Sequence, residues 1–312
     1  MATRSRRRFD DDDFTEFPSI PTTSPLECDQ FVEPNWSSYT DATHGPAPVP
    51  KWVITSPSAI DTDLGVMKTG KEADVSLLRR EHDGIASLMA MKQYRSAQHR
   101  MFHRDAGYLE GRRVRRSRET RAMVTRTEFG RDLIAGQWAA AEFAVLSTLW
   151  AAGAAVPYPV QLSGTELIME FIGDDGGNDD GNGNGIAAPR LSQLRPTYKE
   201  GNDLFGQLRE ALTAMAEAGY AHGDLSAYNI LVHRGRLVLI DVPQAVDLVG
   251  NPQGFEFLRR DCENICTWFH SHGIPADAHE LQRDLLRGIA ENHQPNSATC
   301  HARHRHSWWS TP

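Results

Sequence analysis

The stretch from His222 to Asp241, HGDLSAYNILVHRGRLVLID, constrains this chain more than any other. Asp224 and Asn229 stand in D-x-x-x-x-N order, and Asp241 closes the segment. Between them lie two apolar runs, Asn229 to His233 and Arg236 to Ile240, separated by Arg234-Gly235. Two such runs around an x-Gly pair predict a β-hairpin. An Asp, an Asn and a second Asp are thereby gathered into one short span.

Phosphoryl transfer needs a carboxylate near the attacking hydroxyl and oxygen ligands for a Mg²⁺ that bridges nucleotide phosphates; an Asp, an Asn and an Asp supply them. In protein kinases the catalytic-loop Asp and Asn have this spacing, and a further Asp follows on the next strand. D-x-x-x-x-N alone is better explained by an Asp capping a helix or turn before an ordinary hairpin. The hairpin and the terminal Asp241 move the reading to a phosphate site.

Composition sets outer bounds. The 312 residues, 40% of them hydrophobic, can form two lobes or one large domain with tails. No window approaches 18 consecutive apolar residues. Arg4 and Arg6 to Arg8 are followed by Asp10 to Asp13, where a signal peptide would need an apolar stretch. These features predict a soluble, cytoplasmic protein with no membrane contact. Four scattered cysteines predict reduced thiols. Cys262 and Cys266 share a helix face with His270, which reads as core packing before metal binding, and Cys300, His301, His304 and His306 lack paired ligand spacing. Formal charge is −8, yet Arg95 to Arg131 holds eleven arginines against Asp105, Glu110, Glu119 and Glu128. Such asymmetry fits either a surface for polyanions, RNA or a ribonucleoprotein among them, or a solvated loop.

Along the chain, residues 1–50 mix charge runs with seven prolines between Pro18 and Pro50 and predict a disordered leader, with Trp52, Val53 and Ile54 opening the folded part. Gly65 to Glu72 nearly spells the P-loop, but it ends in Glu and continues as a strand, so a glycine-turned hairpin is expected. Lys92, in AMKQY, falls on a strand and parallels the kinase lysine that grips the α- and β-phosphates. Gln137 to Trp150 has helical period with Glu142 among apolar neighbours, where a carboxylate needs a partner; Lys92 is the predicted one. Pro157 and Pro159 end that region. Leu167 to Ile172 reads as a hinge strand and residues 173–190 as a flexible insertion. Asn202 is the predicted N-cap of a helix closing at Gly219. Further helices are expected over Phe255 to Phe269 and Asp277 to Glu291, then a loose tail over 295–312.

TGKEADV at 69–75, AMKQY at 90–94, AEF at 141–143, MEFIG at 169–173, APRL at 188–191, HGDLSAYN at 222–229, IDVPQAV at 240–246 and FEFLRRDC at 255–262 together resemble the RIO family of atypical serine/threonine protein kinases. The resemblance implies an α+β bilobal protein-kinase-like fold: a small β-rich N-lobe over 51–172 and a mostly helical C-lobe over 191–294, without activation loop or peptide-binding subdomain. It implies ATP and Mg²⁺ as cofactors, with Mn²⁺ as an alternative metal, and a protein substrate. Residue by residue it makes Asp224 catalytic, Asn229 and Asp241 metal ligands, Lys92 the phosphate lysine and Glu142 its partner. It makes Glu170 and Ile172 hinge contacts to adenine, and Thr69, Gly70 and Lys71 part of the phosphate-facing turn. It also raises Asp241 as a phosphoacceptor and matches 95–131 to the family's flexible loop. Pro243 departs from the family's usual Ser, removing an N–H from the metal loop. Two alternatives remain at this point: a small-molecule phosphotransferase similar to aminoglycoside and choline kinases, which share H-G-D-x-x-x-x-N, and a nucleotide-gated RNA- or protein-binding scaffold.

Overall fold

The computed structural model describes residues 35–95, 128–176 and 185–292. Its first half is built on antiparallel strands: β1 Thr43–His44, β2 Ile60–Thr69, β3 Ala73–His82 and β4 Ile85–Tyr94, then helix α1 Glu128–Ala151, then β5 Pro159–Ser163 and β6 Glu166–Glu170. They form one six-stranded sheet in the order β1-β5-β6-β4-β3-β2. Asp83 and Gly84 both take positive φ, 51° and 75°, the mirror-image turn whose twist suits a two-residue hairpin between β3 and β4. Strand β5 was not expected behind Pro157 and Pro159. Pro159 sits at its first position, where a missing N–H costs the ladder little.

Strand alternation gives this sheet two faces with different covers. On the outer face Leu78, Met89, Val160 and Ile168 are buried against Tyr39 and Val53, with Trp52 and Trp150 packed alongside. The fold therefore begins well before Trp52, and the leader expected over 1–50 is corrected from Asn35 onward. An outer face this apolar must be covered, and an irregular segment does so without any helical or strand period. Gly45 approaches so closely that a Cβ there would lie 1.8 Å from the Pro159 carbonyl oxygen. The inner face packs on α1 through Ala73, Tyr94, Ala135 and Ala139.

Beyond β6 the chain forms the short pair β7 Gly173–Asp174 and β8 Ile186–Ala187, then α2 Tyr198–Glu217, β9 Tyr220–Ala221, the hairpin β10 Ile230–His233 and β11 Arg236–Leu239, β12 Val246–Asp247, α3 Gly254–Ser271 and α4 Ala278–Asn292. The α2 cap is Thr197, not Asn202. Its side chain accepts from the Glu200 N–H, and Glu200 accepts from the Thr197 N–H, a reciprocal capping box legible in T-Y-K-E. Asn202 instead donates to the Tyr198 carbonyl within the helix. Gly219 closes α2 at φ 88° as predicted. One apolar cluster joins α1 and β6 to α2, α3 and α4, with Leu167, Leu208, Leu225, Ile265 and Phe269 all fully or almost fully buried. Cys262 and Cys266 belong to it as free thiols whose pKa values burial pushes up to about 12 and about 11. No helix among the described residues is long and apolar enough to cross a membrane. Most of the arginine-rich stretch, part of the 173–190 insertion and the 295–312 tail lie outside the described residues.

Candidate active site

The predicted hairpin forms, with Arg234 and Gly235 at φ 50° and 75° and all four residue pairs in register from Ile230↔Leu239 to His233↔Arg236. Its open end carries the polar groups. The Asn229 carbonyl accepts from the Ile240 N–H at 2.9 Å, which ties the entry of the hairpin to the residue before Asp241. The Asn229 amide donates through Nδ2 to the Asp224 carbonyl at 2.9 Å, and its Oδ1 accepts no hydrogen bond among the described residues. Asp224 is exposed, and among the described residues its carboxylate has no hydrogen bond or ion pair. Asp241 takes positive φ, 64°, a conformation that Asp tolerates better than most residues and that turns its side chain out of strand direction.

The loop before the hairpin is held from α3. Asp261, 1% exposed, accepts from the Gly223 N–H at 2.8 Å and from the Leu225 N–H at 2.9 Å, bracketing Asp224. Burial raises its carboxyl pKa, against the pull of those two N–H groups and of His222 and Arg260. Arg260 donates to the Gly223 carbonyl at 2.7 Å, and the His222 Nε2 lies 3.1 Å from the Ile240 carbonyl. Gly223 itself is at φ 82°, and a Cβ there would meet the Gln244 carbonyl oxygen at 2.3 Å, so no other residue fits. Sequence reasoning missed Asp261. The available signal was a charged residue inside the apolar stripe of Leu258, Cys262 and Ile265.

Lys92 lies on the inner face of β4 and closes the site from the other lobe. Its Nζ donates to Glu142 Oε1 at 2.9 Å and reaches Asp241 Oδ1 at 3.4 Å, so the predicted pair with Glu142 forms and a second carboxylate joins it. Burial alone would lower the ammonium's pKa, but Glu142 and Asp241 together raise it, and Lys92 stays charged. The other Glu142 oxygen accepts from the Tyr94 hydroxyl. Strand pairing places Lys68, Val75 and Lys92 in one row, which brings the Thr69-Gly70-Lys71 turn to the same end of the sheet as Lys92 and Tyr94. Gly70 bonds to the Ala73 carbonyl at 2.9 Å across that turn.

Glu170 and Ile172 stand where β6 passes into the C-terminal lobe. The Glu170 side chain shares the outer face with Ile168, opposite Lys92, and its Oε2 accepts from the Tyr158 N–H at 3.0 Å. Only its main chain is left to meet a nucleotide. On the inner side Leu77, Leu88 and Phe171 approach the backbone of Gly185 so closely that a Cβ there would lie 2.9 to 3.1 Å from them. These three apolar side chains thus pack directly on the Gly185 backbone beside the hinge. Between Asp241 and α3 at Gly254 there is only β12 and turns, with no long activation segment.

Residues 82–281 match the family model described as RIO domain. The chain belongs to the RIO family. It is 34% identical over 284 residues to the RIO-type serine/threonine-protein kinase Rio1 of Haloferax volcanii, covering 90% of this chain and 84% of that protein. It is 29% identical over 240 residues to mouse serine/threonine-protein kinase RIO3, covering 74% of this chain but only 42% of that longer protein. Among solved structures, the ADP/Mg²⁺-phosphoaspartate complex of the Rio2 kinase from Chaetomium thermophilum aligns with a TM-score of 0.47 at 16% identity, over 73% of this chain and 69% of that one. In RIO terms the two lobes described above are the small β-rich and the mostly helical lobe, and the meeting of Lys92 with Asp241 is where they face each other.

Proposed function

We propose that this protein is an ATP- and Mg²⁺-dependent phosphotransferase of the RIO serine/threonine kinase type. The observation that carries this reading is the Lys92 ammonium held between buried Glu142 and half-exposed Asp241, with the exposed Asp224 presented by the loop that leads into the same hairpin. Lys92 would meet the α- and β-phosphates, Asp224 would accept the proton of the incoming hydroxyl, and the Glu170–Ile172 main chain would hold adenine. The donor set fits a hard cation: Asn229 Oδ1 and the Asp241 carboxylate are oxygen donors that would hold Mg²⁺. When bound, Mg²⁺ supplies neutralisation of the phosphate charge. The reading is tested by Mg²⁺-dependent turnover of γ-labelled ATP, with a basic protein as acceptor. Turnover of aminoglycosides or choline in place of protein would favour a small-molecule kinase, and nucleotide binding without turnover a scaffold.

A second step of the same reading concerns Asp241 as phosphoacceptor. Oδ1 is engaged by Lys92, whereas Oδ2 has no hydrogen bond among the described residues. Attack by Oδ2 on the γ-phosphorus forms the acyl phosphate O–P bond and breaks the bond to the β-γ bridging oxygen; ADP leaves, and water later returns the free carboxylate with inorganic phosphate. Label retained on quenched protein and released by hydroxylamine supports the aspartyl phosphate. Hydroxylamine-resistant label on Ser or Thr refutes it.

The substrate and partner reading goes further. The seven-charge excess of Arg95 to Arg131 supports contact with RNA or a ribonucleoprotein, for which affinity should fall steeply with salt. Binding unchanged by reversing Arg113, Arg115 and Arg116 to Glu would reduce that stretch to a solvated loop. A cytoplasmic location belongs to the same proposal, supported by the free thiols of Cys262 and Cys266.

A further inference from the structure

We infer that Tyr94 is a positioning residue for nucleotide binding, its hydroxyl setting how far Lys92 reaches from Glu142 toward Asp241. This rests on the ATP reading above. Tyr94 follows Lys92 by two residues on β4, so both side chains project from the inner face. The ring is buried among Ala73, Ala135 and Ala139, and its hydroxyl donates to Glu142 Oε2 while Lys92 donates to Oε1. Each oxygen of a carboxylate that is only 2% exposed thus has one donor. Lys92 is contested: 2.9 Å to Glu142, 3.4 Å to Asp241, and 5.2 Å above the centre of the Tyr94 ring.

The hydroxyl settles the contest. Because Tyr94 satisfies Oε2, Glu142 needs only one bond from Lys92, and the ammonium is left free to face Asp241 and the phosphates. Without the hydroxyl, a buried oxygen has no donor, a costly state that is relieved when Glu142 turns both oxygens onto Lys92 and draws it back. Burial and the Glu142 charge both raise the phenol's pKa, so it stays a protonated donor throughout the working pH range.

The test is Tyr94→Phe, which keeps the ring and its packing. If the competent Lys92 position falls to about one-tenth of the population, Kd and KM for ATP with Mg²⁺ rise roughly tenfold, because apparent affinity scales with the competent fraction. The kcat at saturating ATP changes much less. In a Glu142→Gln background the same substitution should add no further loss, since the group it acts through is already altered. Melting curves confirm that each comparison is made on folded protein. Wild-type affinity in Tyr94→Phe, or an equal loss in both backgrounds, overturns the inference. Wild-type protein that binds no ATP overturns the kinase reading instead.

Discussion

Opposite faces of the same sheet each carry an ionic cluster, and the two are finished to different degrees. On the outer face Arg80, with no exposure, donates from Nε and Nη2 to both oxygens of Asp61 at 2.7 Å each, and from Nη1 to Gln161 at 3.0 Å. Gln161 in turn donates to Ser38 at 2.8 Å, and the Tyr39 ring lies 5.8 Å from the guanidinium. On the inner face a single ammonium serves two carboxylates, and one of them, Asp241, is 42% exposed. The bidentate pair ties β2 to β3, and Gln161 with Ser38 and the Tyr39 ring extend it to the segment that covers this face. An open cluster beside free carboxylates and a free amide oxygen still has acceptors to offer. Burial and pairing therefore do not mark the functional cluster, and incomplete pairing at an exposed carboxylate does.

The strongest way to break this comparison is to remove the open cluster's charges. Lys92→Met and Asp241→Asn should each reduce ATP turnover to background, because both groups act on the triphosphate; Asp241→Asn, at a side chain 42% exposed, should keep its melting temperature close to wild type, whereas Lys92→Met also loses stability because it leaves buried Glu142 without its cation. Asn suits position 241 because it also tolerates the positive φ there. Turnover surviving in either variant would make the inner cluster structural, like the outer one. Arg80→Met should do the reverse. Leaving Asp61 buried without its partner costs about 3–5 kcal/mol of stability, read by chemical denaturation, with KM for ATP unchanged below the transition. A kinetic effect at constant stability would erase the distinction between the faces.

A third expected effect is smaller and lies in the loop that presents Asp224. Asp261→Asn puts an amide NH₂ toward one of the two N–H groups that the carboxylate accepts, at Gly223 and Leu225. Leaving that donor unmet costs about 1–3 kcal/mol. Because the loop rather than the core is loosened, kcat should fall more than melting temperature. Equal losses in both would make Asp261 a packing residue only.

The inner cluster was largely readable in the sequence, and the outer one was not. Lys92 and Glu142 each fall within a regular strand or helix, and the Asp224, Asn229 and Asp241 spacing is local, so pattern was enough to pair them. Arg80 pairs with Asp61 nineteen residues away and with Gln161 eighty-one away, across strands whose order local sequence does not encode. The irregular cover from Asn35 to Ile54 has no period, and its burial follows only once the apolar outer face is known. Thr197 was legible through Glu200, yet Asn202 offered a competing cap closer to the apolar stripe. Asp261 and Tyr94 became visible only when strand register and helix packing showed which polar atoms they reach.

Another buried carboxylate sharpens the contrast because among the described residues it has no ion pair. Glu170, at the end of β6, accepts among the described residues from the Tyr158 N–H alone, and desolvation pushes its pKa up to about 8 against that opposing hydrogen bond. The folded protein therefore holds a proton here that the unfolded chain, with an ordinary carboxylate value, gives up in mild acid. Its contribution to stability is complete below that ordinary value and is lost as pH rises through about 8. Glu170→Gln keeps an acceptor for Tyr158 and stays neutral, so it should remove this slope. Relative to the variant, wild type should lose about 1–2 kcal/mol between pH 6 and pH 8, read as parallel denaturation series. If both proteins keep the same difference across that range, Glu170 is already ionised in the fold, and a cation must compensate it as Arg80 compensates Asp61.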